Sequence, residues 1–225
     1  MMLKAVLFDM DGLMFDTESL ATRALIEMAK KQNYQMSVEE THLVLGYKPE
    51  AIYSFYEEYF KDRGVDGRKL VDDHYEFLED ILFTSGPDKM PYLEDLLIYL
   101  KNNNYKIAVA SSSDLHHINN NLEKTGVKKY IDIVASGEEV ENGKPAPDVF
   151  LLAAKRLGMD PKDCLVLEDS LFGMEAAYKA GAKAIMIPDS VDPDEYTKTI
   201  AYRILDNLGQ VIDLLEENDE KTELR

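Results

Sequence analysis

Asp9 and Asp11 are two carboxylates one residue apart, directly after the apolar run Ala5-Val6-Leu7-Phe8. The run is short and β-prone, so it reads as a buried strand ending at the aspartates. Gly12 permits the tight turn that closes it. Strand alternation points side chains at i and i+2 to one side. Both carboxylates are therefore expected to project together from the C-terminal end of a central strand, where open α/β sheets place ligands. Acids crowded at a strand tip repel one another unless a cation or a shared proton offsets them, which points to a metal-dependent catalytic site.

Three further polar features end or adjoin apolar runs. Ser111 ends Ile107-Ala108-Val109-Ala110, and Glu168-Asp169 ends Leu165-Val166-Leu167. Lys144 lies in Gly143-Lys144-Pro145-Ala146-Pro147-Asp148, just ahead of an expected helix start. On a parallel sheet these strand-end groups converge on one edge. Such a set suits phosphoryl transfer, which needs a carboxylate nucleophile, Mg²⁺ on oxygen ligands, and cationic and hydroxyl donors for the phosphoryl oxygens.

Short apolar runs at 3–8, 106–111, 131–135, 164–168 and 184–187 are mostly separated by helical patterns. Leu93, Leu96, Leu97 and Leu100 recur at helical spacing behind Pro91, read as a first-turn residue. Val149, Leu152, Ala153 and Leu157 precede Gly158, and Met174, Ala177 and Ala180 precede Gly181. Alternating strands and helices predict an α/β fold, a Rossmann-like, doubly wound parallel sheet. Residues 17–87 break the alternation with helices expected at about 17–32, 49–63 and 66–83. The expected organisation is an α/β core over 1–16 and 88–225, with an inserted all-helical cap over 17–87.

A length of 225 residues suits one domain with an insert, and no apolar stretch is long enough to cross a bilayer. Met1-Met2-Leu3-Lys4 leads straight into the first strand, so no targeting segment is expected. A formal charge of −18 argues against nucleic-acid and anionic-membrane partners. Cys164 is the single cysteine and lies in an apolar run, which points to a buried thiol in a reducing, cytoplasmic setting. His42, His74, His116 and His117 show no metal-ligand spacing and are read as solvated or packed. Nothing beyond ordinary apolar helix faces marks an interface, so a monomer is expected.

Taken in order, Asp9-Met10-Asp11-Gly12, Ser111, Lys144 and Glu168-Asp169 resemble the four motifs of the haloacid-dehalogenase-like (HAD-like) phosphatases. A lone DxDG is shared with calcium loops; four ordered motifs are far more specific. The stretches Asp11 to Glu18 and Gly143 to Asp148 look most like the β-phosphoglucomutase and sugar-phosphatase branch, whose small-cap members carry a helical insert after the first motif.

The resemblance implies that Asp9 attacks phosphorus and that Asp11 serves as acid and base. It implies Mg²⁺ on Asp9, the Asp11 backbone carbonyl and Asp169, with Glu168 close by or bridging through water. Ser111 and Lys144 would grip the phosphoryl oxygens. The implied substrate is a small phosphorylated metabolite, with selectivity in the cap near Gly46 and Lys48. The mutases of this branch carry a cap histidine where this chain has Ala21 or its neighbours, and an arginine where it has Gly46-Tyr47-Lys48-Pro49. Hydrolysis is therefore expected ahead of a phosphosugar mutase; a non-catalytic phospho-acceptor module and a dehalogenase rank lower.

Overall fold

The computed structural model describes residues 3–44, 47 and 49–223. The chain divides into two compact units, Met1–Asp16 with Asp88–Arg225, and Thr17–Pro87.

The first unit is built on a six-stranded sheet ordered β3-β2-β1-β4-β5-β6 and parallel throughout. Its strands are β1 (Ala5–Phe8), β2 (Lys106–Ser111), β3 (Ile133–Ser136), β4 (Cys164–Glu168), β5 (Lys183–Met186) and β6 (Arg203–Ile204). The order reverses at β1, which pairs with β2 on one side and β4 on the other. A ligand crevice is expected at such a switch point, outside the strand C-termini.

The period of two along each strand sorts side chains into two buried layers. Val6, Phe8, Ile107, Val109, Leu165 and Leu167 pack with residues of α5 (Leu93–Asn102), α6 (Leu115–Lys124) and α10 (Gly209–Glu223). Ala5, Leu7, Ala108, Ala110, Val166 and Met186 pack on the other face with residues of α7 (Asp148–Leu157) and α8 (Leu171–Ala180). The helix α9 (Glu195–Ile200) lies between β5 and β6 in the chain. The caps follow from side-chain chemistry. Asp114 accepts from His117 N to start α6, Ser170 accepts from Gly173 N to start α8, and Gly158 and Gly181 end α7 and α8 in the left-handed region.

Among the described residues the second unit contains α1 (Thr17–Lys31), α2 (Val38–Thr41), α3 (Pro49–Phe60) and α4 (Gly67–Thr84). Leu25, Met28, Tyr56, Phe60, Leu70 and Val71 form its core. Gly67 is required where α4 meets α3, because a Cβ there would stand 2.1 Å from the Tyr56 carbonyl oxygen.

Several sequence expectations need adjustment. The third helix stops at Phe60 rather than residue 63. Pro91 precedes α5, whose N-cap is Tyr92 with φ of 65°. Two short elements carry too little apolar periodicity to be read from sequence: α2, which starts with a Ser37–Glu40 capping box, and the exposed edge strand β6.

Candidate active site

The end of β1 and the end of β4 are held in register. Phe8 pairs with Leu167, and Asp9 N donates to the Leu167 carbonyl at 3.0 Å, so Asp9 and Glu168 leave adjacent strands side by side. Lys144 reaches them from the loop ahead of α7. Its ammonium donates to Asp9 Oδ1 and, at 2.5 Å, to Glu168 Oε1.

Glu168 is fully buried. While its Oε1 accepts from Lys144, its Oε2 accepts from Asp169 N at 3.0 Å, Ser170 N at 2.9 Å and Ser170 Oγ at 2.9 Å. A buried carboxylate with its lone pairs occupied in this way is fixed in orientation. Gly173 on α8 leaves the room it needs, since a Cβ there would stand 1.8 Å from Glu168 Oε1. Gly12 does the same for Asp169. Its φ is +81°, and a Cβ would lie 2.4 Å from Asp169 Oδ2.

Asp9, Glu168 and Asp169 each bring a carboxylate oxygen within 4.8 Å of the others. Two buried acids and a half-buried third against one lysine are under-compensated. Burial pushes Asp169 up to about 9, with the carboxylates of Asp9 and Glu168 adding to the rise. Asp9 rises to about 7, again mainly through burial; Lys144 opposes the shift while Glu168 and Asp11 reinforce it. Burial works to lower Lys144, yet the two carboxylates outweigh it and hold the ammonium above its ordinary range. All-oxygen donors, net negative charge and close approach fit a small hard divalent cation such as Mg²⁺.

The side chain of Asp11 takes a different partner. β1 ends at Phe8, so alternation no longer governs residue 11, which instead bridges to Phe15 in the turn after Gly12. Asp11 Oδ2 accepts from Ser113 Oγ at 2.9 Å. Ser111 is buried at the end of β2, and its Oγ accepts from Ser113 N at 3.0 Å. Ser136 Oγ donates to the Ser113 carbonyl at 2.7 Å. The loop bearing Ser111 and Ser113 is thereby tied to β3.

Of the residues named from sequence, Asp9, Lys144, Glu168 and Asp169 come together, with Asp11 near enough to raise Asp9 and joined to the Ser111 loop through Ser113. Gly46 and Lys48 lie outside the described residues. Sequence reasoning missed Ser113, Ser170 and Gly173. Ser170 before an apolar helical stretch is a cap signal, and an isolated glycine inside a helical pattern marks a packing need. Ser113 carries no signal that separates it from Ser112.

The sequence profile of the haloacid dehalogenase-like hydrolases matches residues 6–187. The phosphorylated carbohydrates phosphatase of Thermotoga maritima is 30% identical over 192 residues, covering 81% of this chain and 84% of that protein. The crystal structure of CbbY from Rhodobacter sphaeroides in complex with phosphate aligns with a TM-score of 0.69 and 26% identity, over 92% of this chain and 95% of CbbY. A β-phosphoglucomutase from Clostridium difficile shares the fold with a TM-score of 0.70 at 24% identity, each chain covered in full at 100%. With four-fifths of the chain matched by the profile and both strand-end acid pairs inside that span, this protein belongs to the haloacid dehalogenase-like hydrolase family.

Proposed function

We propose that this chain is a Mg²⁺-dependent phosphatase that hydrolyses small phosphomonoesters, sugar phosphates foremost, through a phosphoryl group carried on Asp9. The observation that carries the reading is the convergence of Asp9, Lys144, Glu168 and Asp169 at the ends of β1 and β4. Similarity to a phosphatase of phosphorylated carbohydrates supports the substrate class. We also propose that the helical unit Thr17–Pro87 acts as a cap and carries selectivity.

In this scheme an Asp9 carboxylate oxygen bonds to phosphorus as the bond from phosphorus to the leaving oxygen breaks. Asp11 donates its proton to that leaving oxygen, and the alcohol departs. Asp11, now ionised, takes a proton from water as the water oxygen attacks phosphorus and frees Asp9. Lys144 and Ser111 hold the phosphoryl oxygens, the first with a charge-assisted donor. Asp9, Asp169 and the Asp11 carbonyl would hold Mg²⁺, which supplies positive charge to offset the buried carboxylates and the developing charge on phosphorus. Glu168 already accepts four hydrogen bonds, so its role is to position Lys144 and the Asp169–Ser170 backbone.

Phosphate release from a panel of sugar phosphates and p-nitrophenyl phosphate, with Mg²⁺ and with EDTA, tests the proposal. Release that needs Mg²⁺ and vanishes in Asp9→Asn is expected. Isomerised hexose phosphate in the same tubes without phosphate release would instead establish a mutase.

A further inference from the structure

Lys144 is tied to the acid cluster by two hydrogen bonds, to Asp9 Oδ1 and Glu168 Oε1. An ammonium has three N–H groups and no acceptor. Two bonds still let it roll about the line joining the two acceptor oxygens. A third contact opposes that roll: Lys144 Nζ stands over the Phe150 ring, 4.9 Å from its centroid. Both partners are shielded from water, with the Lys144 side chain 9% exposed and Phe150 1%. A cation over an aromatic face is attracted by the negative centre of the ring, most strongly where both are desolvated.

Phe150 lies in the first turn of α7 and is buried against the sheet. That layer is built mainly of small side chains, Ala108, Ala110, Ala135, Ala153 and Ala177 among them, and Phe150 is its one aromatic ring among the described residues. Methionine could fill the same gap, as Met174 and Met186 do in this cluster, but it offers no negative face to a cation. A carboxylate would hold the ammonium, yet it would add negative charge where an anionic phosphoryl group has to enter.

We propose that Phe150 is a positioning residue for Lys144: its ring face holds the ammonium in the orientation that binds a phosphoryl oxygen, without adding negative charge to the site. The proposal rests on the phosphatase reading above. Fluorine withdraws electron density from a ring face while leaving the side chain nearly the same size. Replacing Phe150 by mono-, di- and trifluorinated phenylalanine therefore weakens the contact in steps and keeps the packing.

Two readouts on the full-length proteins test this. Urea unfolding without phosphate or metal reads the contact itself, and the folding equilibrium constant should fall about twofold with each fluorine. Fluorine adds apolar area, so a ring that only fills space would leave that constant unchanged or raise it, and either result overturns the proposal. Calorimetric titration of inorganic phosphate with Mg²⁺ reads the consequence. Its Kd should rise in the same steps, to about eightfold for three fluorines, while kcat/KM for p-nitrophenyl phosphate falls in parallel. Falling stability with an unmoved phosphate Kd also overturns the proposal, since the ring would then steady the fold and not the site. Failure of the phosphatase reading looks different: wild-type protein then releases no phosphate from p-nitrophenyl phosphate, whereas failure of the Phe150 assignment leaves wild-type hydrolysis intact and flattens the fluorine series.

Discussion

Replacing Gly173 by alanine should break the site without touching an acid or the lysine. The new Cβ would lie 1.8 Å from Glu168 Oε1, 1.9 Å from Cδ and 2.3 Å from Oε2, where ordinary contact begins at 3.4 Å. A carboxylate at the end of a flexible, solvated side chain would swing away cheaply. This one is fully buried and held by Lys144, Asp169 N, Ser170 N and Ser170 Oγ, so retreat breaks hydrogen bonds worth about 1.5–3 kcal/mol each. Shifting α8 instead would cost about 1–3 kcal/mol of overpacking against the sheet.

The cheaper route sets the loss, so about 1–3 kcal/mol is predicted, a sizeable share of a typical stability of about 5–15 kcal/mol. Helix propensity alone predicts the opposite sign, since alanine is favoured over glycine in a helix by about 1 kcal/mol. Gly143→Ala is the control, because a Cβ there meets nothing within 4 Å. Urea unfolding of the two variants beside wild type reads the difference, and Mg²⁺ titration reads displacement of Asp169. A Gly173→Ala protein as stable as Gly143→Ala, or more stable than wild type, would mean that Glu168 is not held against α8 in this way.

Other consequences can be checked with modest effort. Ser113→Ala removes the 2.9 Å hydrogen bond to Asp11 and should slow hydrolysis of alkyl phosphates about tenfold or more, leaving p-nitrophenyl phosphate nearly unaffected because its leaving group needs little proton transfer. An equal loss on both substrates would count against a role in placing the acid. In metal-free protein the carboxyls of Asp9 and Asp169 titrate at about 7 and about 9 when folded, against 3.8 as the reference value. Their contribution is fully present below the unfolded pKa and is lost as pH rises through the folded values, so stability in EDTA should fall from mildly acidic to alkaline pH. Saturating Mg²⁺ or Asp169→Asn should flatten that fall in urea midpoints, and an equal slope in all three samples would contradict it. His74, lowered to about 4 from 6.5, works in the other direction: its contribution is present above the unfolded pKa and is lost as pH falls through the folded one. His74→Leu should therefore resist acid unfolding better than wild type.

The acid-bearing edge of the sheet is legible in sequence because its acids follow short apolar runs, and a parallel sheet gathers strand ends. Asp9 and Glu168 needed only the β1–β4 pairing to meet. The run of helices after the first strand was equally plain from its change of period. The hydrogen bond from Ser113 to Asp11 is invisible in the chain, since it spans 102 residues and Ser112 is chemically identical. Gly173 looks like a weak point in a helix until the buried carboxylate facing it is placed. His74 reads from sequence as one more packed histidine; only the fold shows that it walls a cavity with Nδ1 unpartnered among the described residues.

Acid quenching during turnover of a sugar phosphate with Mg²⁺ shows whether Asp9 carries the phosphoryl group, as proposed. Mass spectrometry of the digested protein should find phosphate on the peptide containing Asp9, absent from Asp9→Asn and from samples quenched without substrate. An Asp9→Asn protein that releases phosphate at the wild-type rate, with no phosphorylated peptide in either protein, would contradict it.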